Sequence, residues 1–434
     1  MTRRFLVAAF LAAFAHSAAV ETSQAAQTQP EIPEFYGFTA AEVTGAPGSL
    51  VRAEAMADEM DGAAAYRFLY RTTDGSAEPT IASAVLVVPT QPAAAPLKTI
   101  VWAHDSVGIA AKCAPSIKSD ALSGFKGLAT AIDAGHAMVA PDYVGLGAYP
   151  TDAAPALHPY LHAPSAAAAV IDAVLAAQEL GGRLGEFDDD APTLTLSDEF
   201  AIYGHSQGAH AALSATAHLL ASDTGPILKG LAISGVPNRL ASLLPMQRTE
   251  DGLILTAHLL AAYQALDPKL DPAHMVTNDV AAYVEPLAAL CVDEAKKLLE
   301  NVEVPTDGSH IHALPREWLE ALRENTPTEL INPSPNTKVE LTGMHIAQGG
   351  IDTLVPTFET IFGVLGPVCG FFGKTGVIID YAPLGDHTEA QQFTQERAMA
   401  HLLSRLGEIP EMPATPLEVI SQRCKDLENP PPVR

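Results

Sequence analysis

The chain has 434 residues, of which 48% are hydrophobic and 18% are charged. This length suits one large α/β unit with an inserted subdomain, and the composition is that of a globular protein with a substantial core, which excludes a mostly disordered chain. The formal net charge of −26 repels the phosphates of nucleic acids. We therefore expect no nucleic-acid partner, and nothing in the composition implies a protein partner.

Residues 1–26 are predicted to form a signal peptide. Arg3 and Arg4 give a basic start, and the apolar run over residues 5–14 is too short to span a bilayer. Small residues follow at 17–19 and again at 25–26. From the sequence, we expect no later stretch to be long and apolar enough to cross a membrane. The sequence therefore predicts a secreted or periplasmic protein.

Four cysteines belong to the predicted mature chain, namely Cys113, Cys291, Cys369 and Cys424. An even number of cysteines in an exported chain indicates two disulfides, and four cysteines allow three pairings. No C-x-x-C spacing occurs, so we expect no structural zinc site and no other metal site.

Short apolar runs along the chain are typical of β-strands, and the first two are predicted to form a hairpin. The predicted strands are Tyr66–Arg71, Thr80–Pro89, Lys98–Ala103, His136–Pro141, Glu199–Tyr203, Gly230–Ser234, Val339–Ile346 and Gly376–Ile379. Helical periodicity lies between several of them, over Ser165–Leu180 (with Ser165 as the N-cap), Gln207–Ala221 and Glu389–Leu406. This alternation predicts an α/β fold with a mostly parallel central sheet flanked by helices.

Residues 237–337 interrupt this alternation, because they contain no clear strand pattern. They are predicted to form helices over Thr256–Leu266, Ala281–Leu299 and Arg316–Glu324. We interpret this segment as a helical cap, or lid, inserted into the sheet domain. The core would then comprise residues 27–236 and 338–434, the second part including the C-terminal tail.

The strongest functional signal is Gly204-His205-Ser206-Gln207-Gly208, which matches the G-x-S-x-G pattern between a predicted strand and a predicted helix. In such a nucleophile elbow the serine occupies a strained turn, and the glycines Gly204 and Gly208 avoid collisions with neighbouring chain. The helix N-terminus beyond Ser206 favours a developing negative charge. Ser206 is therefore the predicted nucleophile of an α/β-hydrolase fold.

A serine nucleophile needs a base, and the base needs an acid that orients it. In this fold the acid follows the serine along the chain, and the histidine that serves as the base follows the acid. His387 lies between the last predicted strand and the last helix, and Asp352 lies in a glycine-containing loop after the preceding strand. They are the predicted base and acid. The alternatives are Asp380 and Asp386 for the acid and, for the base, His218, His258, His274, His310, His312, His345 and His401.

An oxyanion hole needs at least two hydrogen-bond donors. One is the backbone N–H of Gln207, directly after the nucleophile. The other is predicted in the loop after the Lys98–Ala103 strand, at the backbone N–H of Asp105. An alternative interpretation is that this loop only packs.

Several motifs together resemble the secretory lipase family, of the yeast lipase A type. They are His104-Asp105-Ser106, Cys113-Ala114-Pro115-Ser116, Pro141-Asp142-Tyr143-Val144-Gly145-Leu146-Gly147, His158-Pro159-Tyr160-Leu161, the serine motif, and Asp352 with Val355-Pro356. The resemblance spans about residues 100 to 390. It implies an aspartate in the oxyanion loop and the disulfide pairs Cys113–Cys291 and Cys369–Cys424. It also implies a cap that covers an acyl pocket and makes transient contact with lipid surfaces.

These patterns predict a secreted serine hydrolase that cleaves carboxylic esters through an acyl-enzyme, without a cofactor. Its substrate would be a small-molecule or lipid ester, as for a triacylglycerol lipase or carboxylesterase. The alternatives are a peptidase or a polysaccharide deacetylase on the same fold. A non-enzymatic binding protein is disfavoured, because no member of the predicted triad is missing.

Overall fold

The computed structural model describes residues 32–57, 60–91, 95–300, 310–311, 314–331, 338–372, 376–408 and 410–424. The signal peptide predicted over residues 1–26 and the alternative base His312 lie outside these residues.

Most strands belong to one twisted sheet. In chain order, the strands of the described residues are β1 (Gly37–Phe38), β2 (Leu50–Ala55), β3 (Ala63–Thr73), β4 (Pro79–Pro89), β5 (Leu97–Ala103), β6 (Ala137–Pro141), β7 (Tyr149–Pro150), β8 (Leu196–His205), β9 (Ile227–Ser234), β10 (Met344–Gly349), β11 (Val377–Ala382) and β12 (Ile420–Arg423). Ten of them form a mixed sheet in the order β12-β11-β10-β9-β8-β5-β6-β4-β3-β2, and β1 pairs with β7.

The centre of the large sheet is parallel. The strands β6, β5, β8, β9, β10 and β11 run in the same direction, whereas β2, β3 and β4 at one end and β12 at the other pair antiparallel. Strands such as β6 and β10 are buried throughout, as expected for parallel strands covered on both faces. The predicted hairpin is present as β3 and β4.

Helices cover both faces of this sheet. Within the described residues, the α-helices are α1 (Leu128–Asp133), α2 (Ala163–Gly181), α3 (Gln207–Leu220), α4 (Leu240–Leu243), α5 (Glu250–Leu266), α6 (Asn278–Ala288), α7 (Val292–Leu299), α8 (Arg316–Glu324), α9 (Pro327–Leu330), α10 (Gly366–Phe372) and α11 (His387–Arg405), with a π-helix over Glu359–Leu365. The helices α2 and α3 share one core cluster with one side of the strands, and α1 and α11 share another with the opposite side. Side chains of β5 alternate between these two clusters, as the pleat of a strand requires.

The helix α2 departs from the prediction in two ways. It is long and apolar enough to cross a membrane, but 72% of its apolar window is buried inside the protein, so it is a core helix here. It begins at Ala163 rather than after Ser165, with His162 as its N-cap and Pro164 in the first turn. Proline suits this position because its fixed φ is helical and its missing N–H would have had no partner.

Other predicted boundaries shift where the backbone is interrupted. The strand predicted over 339–346 begins only at Met344, and Val339 makes a single bridge to Leu228. The helix predicted over 281–299 is divided into α6 and α7, because the backbone at Cys291 is extended and this cysteine is disulfide-bonded. The edge strands β2 and β12 were not predicted.

The two disulfides have the pairing that the family resemblance implied. Cys113 bonds to Cys291, with 5.3 Å between the Cα atoms, and joins the region after β5 to the helical segment. Cys369 bonds to Cys424, with 5.8 Å between the Cα atoms, and joins α10 to the end of β12. Covalent links over long loops reduce the entropy of the unfolded chain.

Between β9 and β10, the described residues form the helices α4 to α9. These helices have a core cluster of their own, which includes Ile254, Leu260, Val284 and Trp318. Tyr160 from the sheet domain belongs to the same cluster, so the helical segment packs directly on the region before α2.

A buried ion pair fixes the edge of the sheet near the C-terminus. Asp380 on β11 accepts a hydrogen bond from Arg397 Nε at 2.7 Å and lies 2.9 Å from His345 Nε2. Arg397 also donates to Ser421 Oγ on β12 at 3.1 Å. Burial would raise the pKa of Asp380, but His345 and Arg397 together hold it below its usual value. This carboxylate is therefore committed to the fold.

We expect Arg397→Leu to lower the free energy of unfolding by about 3–5 kcal/mol, because it leaves the buried Asp380 without its cation. The matched control is Arg183→Leu, which removes a half-exposed arginine paired with Glu179 and Glu186 and should cost about 0–1 kcal/mol. Urea unfolding at pH 7 with intact disulfides measures both values. Equal losses in the two variants would contradict this assignment.

Candidate active site

The register of the parallel strands aligns their carboxyl ends at one edge of the sheet. Ala103 at the end of β5 is paired with Gly204 in β8, and His205 at the end of β8 is paired with Ser234 at the end of β9. Likewise, Ala347 of β10 is paired with Ser234. The loops that follow these strands therefore begin side by side, and they carry the residues predicted from the sequence.

Ser206 occupies a strained turn between β8 and α3. Its φ of 52° is in the left-handed region, which a residue with a side chain rarely adopts. A Cβ atom at Gly208 would lie 1.8 Å from the carbonyl oxygen of Ala103, and one at Gly204 would lie 2.3 Å from the carbonyl oxygen of Gly208. Both positions therefore require glycine. The side chain of Ser206 faces a pocket at the first turn of α3.

Asp352 and His387 meet at the same edge. His387 Nδ1 lies 2.7 Å from Asp352 Oδ2. The other carboxylate oxygen of Asp352 accepts hydrogen bonds from the backbone N–H groups of Leu354 and Val355, at 2.9 and 2.8 Å. The loop thus fixes the orientation of the carboxylate, and the carboxylate fixes the proton of the imidazole on Nδ1.

The second ring nitrogen of His387 keeps a free lone pair when the proton is on Nδ1. Its Nε2 atom is buried and has no hydrogen-bond partner among the described residues. The ring packs against Gly235, where a Cβ atom would lie 2.7 Å from His387 Cε1. Its centroid is 4.8 Å from that of His205, the residue directly before Ser206. His387 thus contacts the residue that precedes Ser206, and its Nε2 atom is not hydrogen-bonded to the Ser206 hydroxyl.

The electrostatics of the two histidines differ. Burial alone would lower the pKa of His387, but the hydrogen bond and the charge of Asp352, with the charges of Asp105 and Asp386, raise it above its usual value. Burial and the neighbouring His387 lower the pKa of His205 to about 4. Of this pair, His387 is therefore the ring that takes up a proton.

The structure gives the alternative residues other partners. Asp386 accepts hydrogen bonds from the N–H groups of Thr388 and Glu389 as the N-cap of α11. Asp380 pairs with His345 and Arg397, as described above.

His387 was expected in the loop before the last helix, but it is the first residue of α11, because Asp386 caps the helix two residues earlier than predicted.

The two segments predicted to donate to the oxyanion, the loop that carries Asp105 and the turn that carries Gln207, lie next to each other, and we call them the two arms of the oxyanion hole. Asp105 is two residues beyond Ala103 and Ser206 is two residues beyond Gly204, and Ala103 and Gly204 are paired. The first N–H groups of α3, which include that of Gln207, have no partner within the helix. The side chain of Asp105 is exposed, so its carboxylate is not buried beside the two amides.

An apolar pocket of about 40 Å³ opens beside Ser206. Seven of its thirteen lining residues are leucines, four of them on α4 and α5, and polar atoms are few. Its lining residues are Tyr160, Leu161, Ser206, Pro237, Leu240, Leu243, Leu244, Gln247, Leu255, Thr256, Leu259, Leu354 and Val355. Such a lining suits a hydrocarbon chain attached to the group that Ser206 would attack.

No cluster of three or more histidine, cysteine or acidic side chains that could hold a metal ion occurs within the described ranges.

Sequence reasoning missed Gly235 and the pocket. Gly235 has a φ of +54° and leaves room for the imidazole of His387, but a single glycine after a strand carries no distinctive pattern. Four of the seven pocket leucines lie on α4 and α5, which are apolar on several sides, so periodicity does not tell which of them face Ser206.

Comparison with known proteins adds independent information on the fold. No protein-family model matches the chain, and no curated protein matches it significantly by sequence. Among solved structures, the closed state of Candida antarctica lipase A superposes with a TM-score of 0.68 at 15% identity, covering 89% of this chain and 91% of the lipase. The rice cell wall degrading esterase LipA from Xanthomonas oryzae gives 0.63 at 21% identity, covering 85% of this chain and 100% of the esterase. The chain therefore shares the α/β-hydrolase fold with these two proteins.

Proposed function

We propose that this chain is an exported serine hydrolase that cleaves carboxylic esters through the triad Ser206, His387 and Asp352. The observation that carries the proposal is the 2.7 Å pair of His387 and Asp352, held beside an elbow whose serine has a φ of 52°. A buried imidazole with an oriented proton and a vacant second nitrogen matches the base that a serine nucleophile requires.

The chemistry follows from these positions. His387 Nε2 accepts the proton of the Ser206 hydroxyl as its oxygen attacks the ester carbonyl, and Asp352 stabilises the imidazolium. The backbone N–H groups of Gln207 and Asp105 donate hydrogen bonds to the oxyanion. His387 then protonates the leaving alcohol. In the second half of the reaction His387 takes a proton from water, the water attacks the acyl-enzyme, and Ser206 leaves as the protonated hydroxyl.

The pocket supports an ester whose acyl part is a hydrocarbon chain, as in a lipase or carboxylesterase. Its wall of leucines offers little to the polar backbone of a peptide or to a sugar ring. We propose that residues 237–337 act as the cap, because eight of the thirteen residues that line the pocket belong to this segment. The fold neighbours are named as a lipase and an esterase, which supports the same substrate class.

We propose that the chain is exported, because it has two disulfides and a predicted signal peptide. All four cysteines are paired, and such bonds persist in oxidising compartments outside the cytoplasm.

We expect Ser206→Ala to abolish hydrolysis of p-nitrophenyl esters, because it removes the nucleophile. Removing a triad serine typically costs a factor of about 10⁶ in kcat. The matched control is Ser214→Ala, at a buried serine of α3 whose hydroxyl donates to the carbonyl of His210. Steady-state kinetics and fluorophosphonate labelling of both variants measure the effect. Undiminished activity in Ser206→Ala would exclude the proposed nucleophile.

The pH dependence follows from the pKa of His387. The base must be neutral to accept a proton, and its pKa is raised, so kcat/KM should fall as the pH drops through a value above the ordinary histidine pKa of about 6.5. Asp352→Asn should move this acidic limb to lower pH and reduce kcat by about 10⁴-fold. A pH–rate profile of both forms tests this, and an unmoved limb in the variant would count against the pair.

Filling the pocket should discriminate between acyl chains. We expect Leu244→Trp to lower kcat/KM for p-nitrophenyl octanoate by at least about ten-fold while affecting the acetate ester little, because only the longer chain needs the filled space. Leu298→Trp, at a largely exposed position on α7, is the control and should leave both values unchanged. The same panel, extended with triglycerides, acetylated sugars and peptides, tests the substrate class. Preference for a peptide would favour the peptidase alternative.

A further inference from the structure

The two arms of the predicted oxyanion hole are both attached to one short segment, His158-Pro159-Tyr160. This segment precedes α2 and belongs to neither arm. Its backbone is itself fixed to the loop after β5, because the N–H of His158 donates to the carbonyl of Ile109 at 2.9 Å.

His158 contacts the arm that follows Ser206. Its Nε2 atom lies 2.7 Å from Gln207 Nε2, and its Nδ1 atom lies 2.7 Å from the carbonyl oxygen of Val144. A carbonyl oxygen only accepts, so the proton of the ring is on Nδ1. The Nε2 atom is then an acceptor, and the amide of Gln207 donates to it. With this tautomer, Nδ1 of His158 donates to Val144 and Nε2 accepts from Gln207.

The environment of His158 keeps this arrangement fixed. Burial lowers the pKa of His158 to about 3, so the ring stays neutral and Nε2 keeps its lone pair. The ring is stacked on Tyr143, at 5.7 Å between centroids and an interplanar angle of 19°. At Gly145 a Cβ atom would lie 2.7 Å from the backbone of His158, so the chain is closely packed there. The ring has little freedom to turn.

Tyr160 contacts the other arm. Its hydroxyl lies 2.7 Å from the hydroxyl of Ser106, the residue directly after Asp105. The Tyr160 side chain is buried, 3% exposed, and its ring also lines the pocket beside Ser206. The segment therefore reaches one arm through an imidazole and the other through a phenol.

We propose that His158 and Tyr160 are positioning residues that set the spacing between the backbone N–H groups of Gln207 and Asp105. This inference rests on the proposed function. An oxyanion hole works only when both donors lie near 2.7–3.1 Å from the developing negative charge, so a small shift of one arm weakens the transition state more than the bound ester. Neither residue touches the reacting atoms.

The test uses two replacements of His158 that each keep one of its hydrogen bonds. His158→Gln places an acceptor near the position of Nε2 and keeps the contact with Gln207, whereas His158→Asn reaches only Val144. We expect His158→Asn to lower kcat about ten-fold with little change in KM, and His158→Gln to retain most of the wild-type kcat. Affinity for a trifluoromethyl ketone, which forms a tetrahedral adduct with the serine, should fall in parallel with kcat/KM.

Two further variants test the same hydrogen bonds, one by replacing the partner residue Gln207 and the other by removing the hydroxyl of Tyr160. Gln207→Met keeps the backbone amide but removes the side-chain donor, so it should lower kcat as His158→Asn does, and the double variant should lose no more than either single one. Tyr160→Phe removes only a hydroxyl and should also lower kcat. The controls His401→Gln and Tyr70→Phe alter a buried histidine on α11 and a buried tyrosine on β3, and should change the melting temperature without changing kcat.

The outcomes separate this inference from the proposed function. A wild-type protein without esterase activity overturns both. An active wild type in which His158→Asn and His158→Gln have equal kcat overturns this inference alone. The same holds if the losses appear only in KM, or if the double variant shows fully additive losses.

Discussion

The site depends on the contact between Gly208 and the end of β5. The carbonyl of Ala103 lies so close to Gly208 that no side chain fits between them, and this contact presses the first turn of α3 onto the neighbouring strand. The strained φ of Ser206 is the consequence, because the chain must reverse within one residue to enter α3. The same contact brings the N–H of Gln207 beside the loop of Asp105. One steric constraint thus positions both the candidate nucleophile and one of the two amides proposed to bind its oxyanion.

Two buried histidine–aspartate pairs in this protein show how surroundings decide what such a pair does. Asp380 has the guanidinium of Arg397 on its carboxylate, so its charge is already compensated, and His345 adds a second partner. Asp352 is held by backbone N–H groups and the amide of Gln348, which are neutral donors. Its charge therefore stabilises a cation at His387 when one forms. The first pair supports the fold, and the second has the electrostatics that a general base needs.

The sequence suffices to propose residues for the candidate site because these residues follow strands. Ser206 has a local motif, and Asp352 and His387 each lie after an apolar run, so the parallel sheet alone predicts that they converge. The resemblance to a known family added the cysteine pairing, which local patterns leave open among three choices. What could not be predicted depends on packing between distant segments. The room made by Gly235 has no sequence pattern of its own, whereas the beginning of α11 has one that the prediction overlooked, the capping box of Asp386 and Glu389.

The loop that carries Asp105 shows why its side chain matters less than its anchoring. On one side it continues β5, which is fixed by pairing with β8. On the other side Val107 accepts a hydrogen bond from the N–H of Val292 at 3.0 Å, and Gly108 bridges to Cys291, which is bonded to Cys113. A backbone N–H held between a strand, a disulfide and a helix start is positioned whatever residue carries it. The carboxylate of Asp105 is exposed, so water weakens its charge, although that charge still contributes to the raised pKa of His387.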